Sequence, residues 1–150
     1  MLYIISTSTN DFVIHKDLFI MGKFKCFAFL NTSVNDHHRD LVSKYGMDCG
    51  YANGYVAIPT DHPLYGKSYD EAYEAGITAH GGLTYSDSIV NVLSNFDMWG
   101  VDWLDGEVPE DYWVFGFDTM HTGDTLDFWN LNRCMEEVSD LKSQLENYTE

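Results

Sequence analysis

Tyr112-Trp113-Val114-Phe115-Gly116-Phe117-Asp118 is the stretch on which the reading of this chain turns. Aromatic and β-branched residues favour a pleated, covered surface, so Tyr112 to Phe117 is predicted to be a strand. The strand runs into Asp118, and the residues that follow, Thr119-Met120-His121-Thr122-Gly123-Asp124, have the composition of a loop. Two carboxylates and an imidazole just past a buried strand are groups that do chemistry or hold a polar ligand.

On the C-terminal side, Cys134, Val138, Leu141, Leu145 and Tyr148 recur at steps of four, three, four and three. That spacing makes one apolar stripe on a long helix, with Glu136, Glu137, Asp140 and Lys142 placed mostly off it. Packing against the domain is the expected use of the stripe; pairing of two copies through it, giving a homo-oligomer, is the alternative. On the N-terminal side, Asp97 to Asp111 reads as an acidic surface loop whose Trp99 and Trp103 fold back on the core. Ser88 to Phe96 reads as a short helix. The two short runs Ile77–His80 and Leu83–Ser86 around Gly81-Gly82 suggest a hairpin or a strand broken by a bulge. Ser68-Tyr69-Asp70-Glu71 fits a capping box ahead of a helix ended by Gly76. Tyr55 to Pro59, Phe24 to Leu30, Phe12 to Ile14 and Leu2 to Ser6 read as strands, and Asn35 to Tyr45 as a helix stopped by Gly46. The fold class that results is α+β: a single domain with a mostly antiparallel sheet flanked by two or three helices, the C-terminal one longest.

The chain has 150 residues, enough to bury a core, with 45% hydrophobic and 15% aromatic residues that argue against disorder. The net charge is −16 and is unevenly placed: residues 1–50 are balanced, and the segment Asp97–Asp127 holds nine acids and no base. Such a surface repels nucleic-acid phosphates, which excludes direct nucleic-acid binding, and draws cations or basic proteins. Three cysteines, Cys26, Cys49 and Cys134, lie far apart without CxxC spacing, so free and mostly buried thiols in a reducing compartment are expected. The apolar stretch Phe12–Leu30 is interrupted by Lys16, Asp17, Lys23 and Lys25. It neither spans a bilayer nor has the layout of a signal peptide, so no membrane is involved and the expected location is cytoplasmic.

Three constellations carry the candidate chemistry. In Asp118-x-x-His121-x-x-Asp124, carboxylate oxygens and an imidazole nitrogen suit a divalent cation such as Mn²⁺, Zn²⁺ or Mg²⁺, and Asp118, His121 and Asp124 are the predicted metal ligands. Without a metal, an Asp–His couple does general acid–base work, and the bland alternative makes both aspartates turn or helix caps. In His80-Gly81-Gly82-Leu83-Thr84-Tyr85-Ser86, the glycines allow close approach and the Thr84 and Ser86 hydroxyls offer hydrogen bonds. The third, Tyr55 to Gly66, stiffened by Pro59 and Pro63, carries Asp61, His62, Tyr65 and the neighbouring Lys67, with His62 and Tyr65 as the pocket-lining candidates. His80, Asp118 and His121 are the catalytic candidates, and His62, Tyr65, Thr84 and Ser86 the ligand-binding ones. No GxSxG, HExxH or cysteine motif supports other hydrolase classes.

Gly54-Tyr-Val-Ala-Ile-Pro with His62-Pro-Leu-Tyr-Gly-Lys67, then His80 to Ser86, then Phe115-Gly-Phe-Asp118 through Asp124 resemble a family of small uncharacterised proteins. These are encoded by bacteriophages, prophages and some bacteria. The resemblance covers residues 49–86 and 112–146. That family usually has Cys where this chain has Thr119, so no role for such a thiol carries over. The resemblance implies that the three motifs form one site and that the setting is a phage one, hence the host cytoplasm. Two functions fit. One is a pocket that binds, and with a divalent metal hydrolyses, a small polar nucleotide-like ligand in counter-defence against host immunity. The other is an acidic inhibitor or DNA mimic that docks on a basic host protein through Asp97–Asp127, with Trp99 and Trp103 as anchors.

Overall fold

The computed structural model describes residues 2–8, 11–17, 24–30, 49–95 and 111–150. Six strands form one sheet: β1 (Leu2–Ser8), β2 (Asp11–Asp17), β3 (Lys25–Leu30), β4 (Ala52–Ile58), β5 (Tyr85–Ser88) and β6 (Trp113–Phe117). Three helices accompany them among the described residues: α1 (Tyr69–Glu74), α2 (Ile89–Asn95) and α3 (Leu131–Asn147). The order across the sheet is β2-β1-β3-β4-β6-β5, and every neighbouring pair is antiparallel except β1 with β3. The architecture is α+β with a long C-terminal helix, as the sequence predicts.

The apolar run in β6 follows from its place between β4 and β5, where both faces are covered. Register sets Phe117 opposite Gly54, Phe115 opposite Val56 and Trp113 opposite Ile58, and β3 adds Cys26 opposite Val56. Alternation of side chains puts all of these on one face of the sheet. Helix α3 lies on that face and buries Cys134, Val138, Leu141 and Leu145. Leu141 and Leu145 each contribute about 1.5–3 kcal/mol by leaving water. Gly54 permits this contact: a Cβ there would overlap Val138 and the Phe117 ring, forcing helix and sheet apart. On the other face Tyr55 stacks on Phe27, with ring centroids 5.2 Å apart, and meets the edge of Tyr85.

Local chemistry explains the ends of the helices. The Ser68 capping box at α1 is complete, and Gly76 follows the helix with φ of 95°. Asn130 caps α3 by accepting from the Arg133 N–H at 3.0 Å. The three cysteines are free and buried.

Two expectations are corrected. Residues 77–80 do not form a hairpin with 83–86; β5 instead pairs with β6, and Ile77–Ala79 runs beside α3. There the Gln144 side-chain amide takes the place of a neighbouring strand, accepting from Thr78 N at 2.8 Å and donating to Thr78 O at 2.8 Å. Lys142 is buried rather than off the apolar stripe, its ammonium paired with Glu146 one turn on, while its stem packs with the core. The predicted helix Asn35–Tyr45 and the acidic loop Asp97–Asp111, with Trp99 and Trp103, lie outside the described residues, except that Asp111 itself is described.

Candidate functional site

The loop after β6 is built from side chains that replace backbone partners. The Asp118 carboxylate accepts from Met120 N at 3.0 Å, the short aspartate turn its position suggested. Thr119 is buried and ties the loop to the start of β4, its N–H donating to Asn53 Oδ1 and its hydroxyl to Ala52 O. Asp124 N donates to His121 O at 2.9 Å, and the Asp124 carboxylate reaches back to accept from His121 N at 2.9 Å. The Asp124 carbonyl in turn accepts from Cys49 N. Asp124 is therefore fixed from three directions and only 4% exposed.

His80 reaches the same place from the opposite side. Its backbone N–H donates to Glu137 Oε1 at 2.7 Å, which together with the Gln144 bonds pins residues 78–80 along α3. Its ring lies over Trp129, centroids 4.0 Å apart, and its Nε2 sits 2.8 and 3.0 Å from the two Asp124 oxygens. The His121 ring stands nearly perpendicular to it, centroids 5.2 Å apart. Gly81 makes room for this pairing. A Cβ on Gly81 would overlap His121 Nε2, and its φ of 70° is a conformation that disfavours side chains.

His80, His121 and Asp124 thus bring two imidazoles and a carboxylate together, one ligand atom from each lying within 4.8 Å of the others. Metal bonds of about 2.0–2.1 Å in a tetrahedral site separate neighbouring ligand atoms by about 3.3–3.4 Å. The His80–Asp124 edge, at 2.8 and 3.0 Å, is a hydrogen-bond spacing that would open by a few tenths of an ångström around an ion. Two histidines and one carboxylate form a donor set suited to zinc, iron(II) or manganese. His121 Nε2 is buried and lies 3.1 Å from Asp118 Oδ1, close enough for charge attraction yet not aligned for a hydrogen bond. Of the predicted metal residues, His121 and Asp124 fall in this trio together with His80, and Asp118 lies beside His121. Next to the cluster, burial pushes the Cys134 thiol above its usual range, and the Asp124 charge adds to the shift.

The remaining predicted residues meet backbone groups or neighbouring rings. His62 accepts from Leu64 N at Nδ1 and donates from Nε2 to Leu145 O at 2.7 Å, so both ring nitrogens are used by backbone groups. Leu145 lies eight residues beyond Glu137, which holds His80; at 1.5 Å per residue the two histidines are tied to points about 12 Å apart along α3. Tyr65 packs on Trp113 and donates to Asp111 O, at the end of β6 remote from Asp118. Ser86 Oγ accepts from Tyr69 N at 2.9 Å and so caps α1. Thr84 is exposed and extends the ladder through its N–H to Gly116 O.

Sequence reading missed Trp129, Glu137 and Gln144. A signal for the last two existed: residues seven apart share a helix face, and two side chains able to accept hydrogen bonds border the apolar stripe. Trp129 gave no periodic signal. No family model matches the chain, and no curated protein or solved structure matches it at a significant level. Among the described residues no helix is long and apolar enough to cross a membrane.

Proposed function

We propose that His80, His121 and Asp124 bind a divalent transition-metal ion and use it to hold, and through a metal-bound water to hydrolyse, a small polar nucleotide-like ligand. The observation that carries this reading is the convergence of three metal-ligating side chains from two separate loops within 4.8 Å. Such a cation would polarise a phosphoryl or carbonyl oxygen and lower the pKa of its water. The chain's own residues supply position: Trp129 fixes the plane of His80, Asp118 lies beside His121, and Gly81 admits the His121 ring. The phage-family resemblance adds the setting, a host cytoplasm in which such a ligand would be an immune signal.

The test is metal uptake by the chelator-stripped protein. Zn²⁺, Mn²⁺ or Co²⁺ should bind at one equivalent, with Co²⁺ giving visible bands of an N/O site, and His121→Ala and Asp124→Asn should each weaken uptake at least tenfold. Absence of uptake by the wild-type chain, or full uptake by both variants, ends the metal reading.

One observation favours a metal-free version, the direct His80–Asp124 hydrogen bond at 2.8 Å. There Asp124 holds the imidazole by Nε2 and leaves Nδ1 to act as the base. Turnover that survives chelation but is lost in Asp124→Asn would select it.

A further inference from the structure

Arg133 lies against aromatic rings. In a chain with 24 acids and 8 bases, Lys67 and Lys142 each pair with a carboxylate one helical turn away. Arg133 pairs with none among the described residues. Its guanidinium instead lies over the Phe128 ring, 4.0 Å from the centroid, and 5.7 Å from the centroid of Trp129. Trp129 is the same indole against which His80 rests. Trp129 therefore has His80 against it at 4.0 Å and the Arg133 guanidinium at 5.7 Å. Phe128 remains 57% exposed even with the guanidinium over it.

This arrangement has a chemical meaning. Stacking on aromatic rings holds a guanidinium in place while leaving its edge N–H groups able to meet an anion. An exposed aromatic ring beside it can take a flat group by stacking. The acidic surface would repel any anion lacking a local cation, so a single arginine here decides whether a small anion is tolerated. A phosphate has enough oxygens to meet a metal and a guanidinium fork at once, which a carboxylate's two oxygens do poorly.

We infer that Arg133 and Phe128 are the ligand-recognising part of the His80–His121–Asp124 site, and that the ligand is a phosphate ester of a planar aromatic or heteroaromatic group. Arg133 takes the phosphate and Phe128 the ring. This rests on the metal reading above, and the experiment separates the two.

Calorimetry on the Mn²⁺-loaded chain would use phenyl phosphate, methyl phosphate and benzoate as probes. Phenyl phosphate should bind the wild-type chain most tightly. Arg133→Gln should weaken both phosphates at least tenfold while leaving Mn²⁺ affinity unchanged, because the residue is exposed and touches no cluster atom. Phe128→Ala should remove the advantage of phenyl over methyl phosphate. Equal phosphate binding by wild type and Arg133→Gln overturns the inference, as does joint loss of Mn²⁺ and phosphate, and tighter binding of benzoate overturns the phosphate assignment. If the wild-type chain takes up no Mn²⁺, the metal reading fails on its own. The same titrations of the metal-free chain, followed by the His80 and His121 ring resonances, then decide the role of Arg133. A phosphate-induced shift abolished by Arg133→Gln supports it, and no shift overturns it.

Discussion

Helix α3 has a histidine site near each end, and the two have opposite characters. Near its C-terminal end His62 gives both ring nitrogens to backbone groups, one from Leu64 and one on Leu145. Toward its N-terminal end His80 and His121 direct ring nitrogens toward carboxylates and each other, and His121 Nε2 lacks an aligned partner although it is buried. The difference teaches how to tell a structural histidine from a functional one. An imidazole whose two nitrogens close backbone valences is a fixed strut, whereas an imidazole that faces a carboxylate has a partner with which it can bind a cation.

Removing the strut should have the largest effect on stability. His62→Ala deletes two buried hydrogen bonds and the ring contacts with Phe24 and Tyr148. A loss of about 2–4 kcal/mol in urea unfolding is expected, with metal stoichiometry in the folded protein unchanged. If the variant instead folds normally and loses metal, the two ends have been assigned the wrong way round.

Alkaline titration probes the same end of the helix. Burial is the main cause that raises Cys26 from 9.0 to about 11, with the Lys142 charge opposing. The folded state thus prefers the neutral thiol. Its contribution is complete below pH 9, the unfolded value, and is lost as pH climbs through the folded value of about 11. Two units correspond to about 2–3 kcal/mol. Stability measured from pH 8 to 11.5 should therefore fall, and Cys26→Ala should flatten that limb. An unchanged slope in Cys26→Ala would place the alkaline sensitivity elsewhere, Tyr55 being the next buried group pushed upward.

At the other end, Gly81→Ala tests whether close packing of the two loops positions His121. A side chain at φ of 70° costs about 1–2 kcal/mol, and the added methyl would displace the His121 ring. The stability loss should be modest and the fall in metal affinity proportionally larger, tenfold or more. Equal metal affinity in the variant would show that His121 is placed by its own loop alone.

Much of this comparison was readable in the chain before any coordinates. Periodic features carried through: the stripe Cys134–Leu145, the capping box at Ser68 and the apolar β6 run all depend on local spacing. The convergence of His80 with His121 and Asp124 did not follow from spacing, because it depends on residues 78–80 lying along α3. Gln144 and Glu137 hold them there, and a side-chain amide standing in for a strand leaves no pattern in sequence. The hydrogen-bond partners of His62 and Asp118 were hidden for a related reason. Residue type shows what a side chain is able to bind, while the competing backbone group that claims it, Leu145 O or Met120 N, is known only from the fold.

The smallest effect supplies the calibration for the others. Ser68 accepts from Glu71 N, and the Glu71 carboxylate accepts from Ser68 N at 2.8 Å. That second bond is the main reason Glu71 ionises below its usual range. A lowered carboxylate value stabilises above the unfolded pKa and loses that contribution as pH falls through the folded one, so α1 should weaken in acid. Ser68→Ala should cost about 1 kcal/mol by removing the cap, and its acid limb should be shallower than that of the wild type. Because α1 bears on neither histidine site, metal affinity should stay within twofold. If so mild a change lowered metal uptake, the losses in Gly81→Ala and Asp124→Asn would measure general loosening of the fold, and the contrast between the two ends of α3 would lose its support.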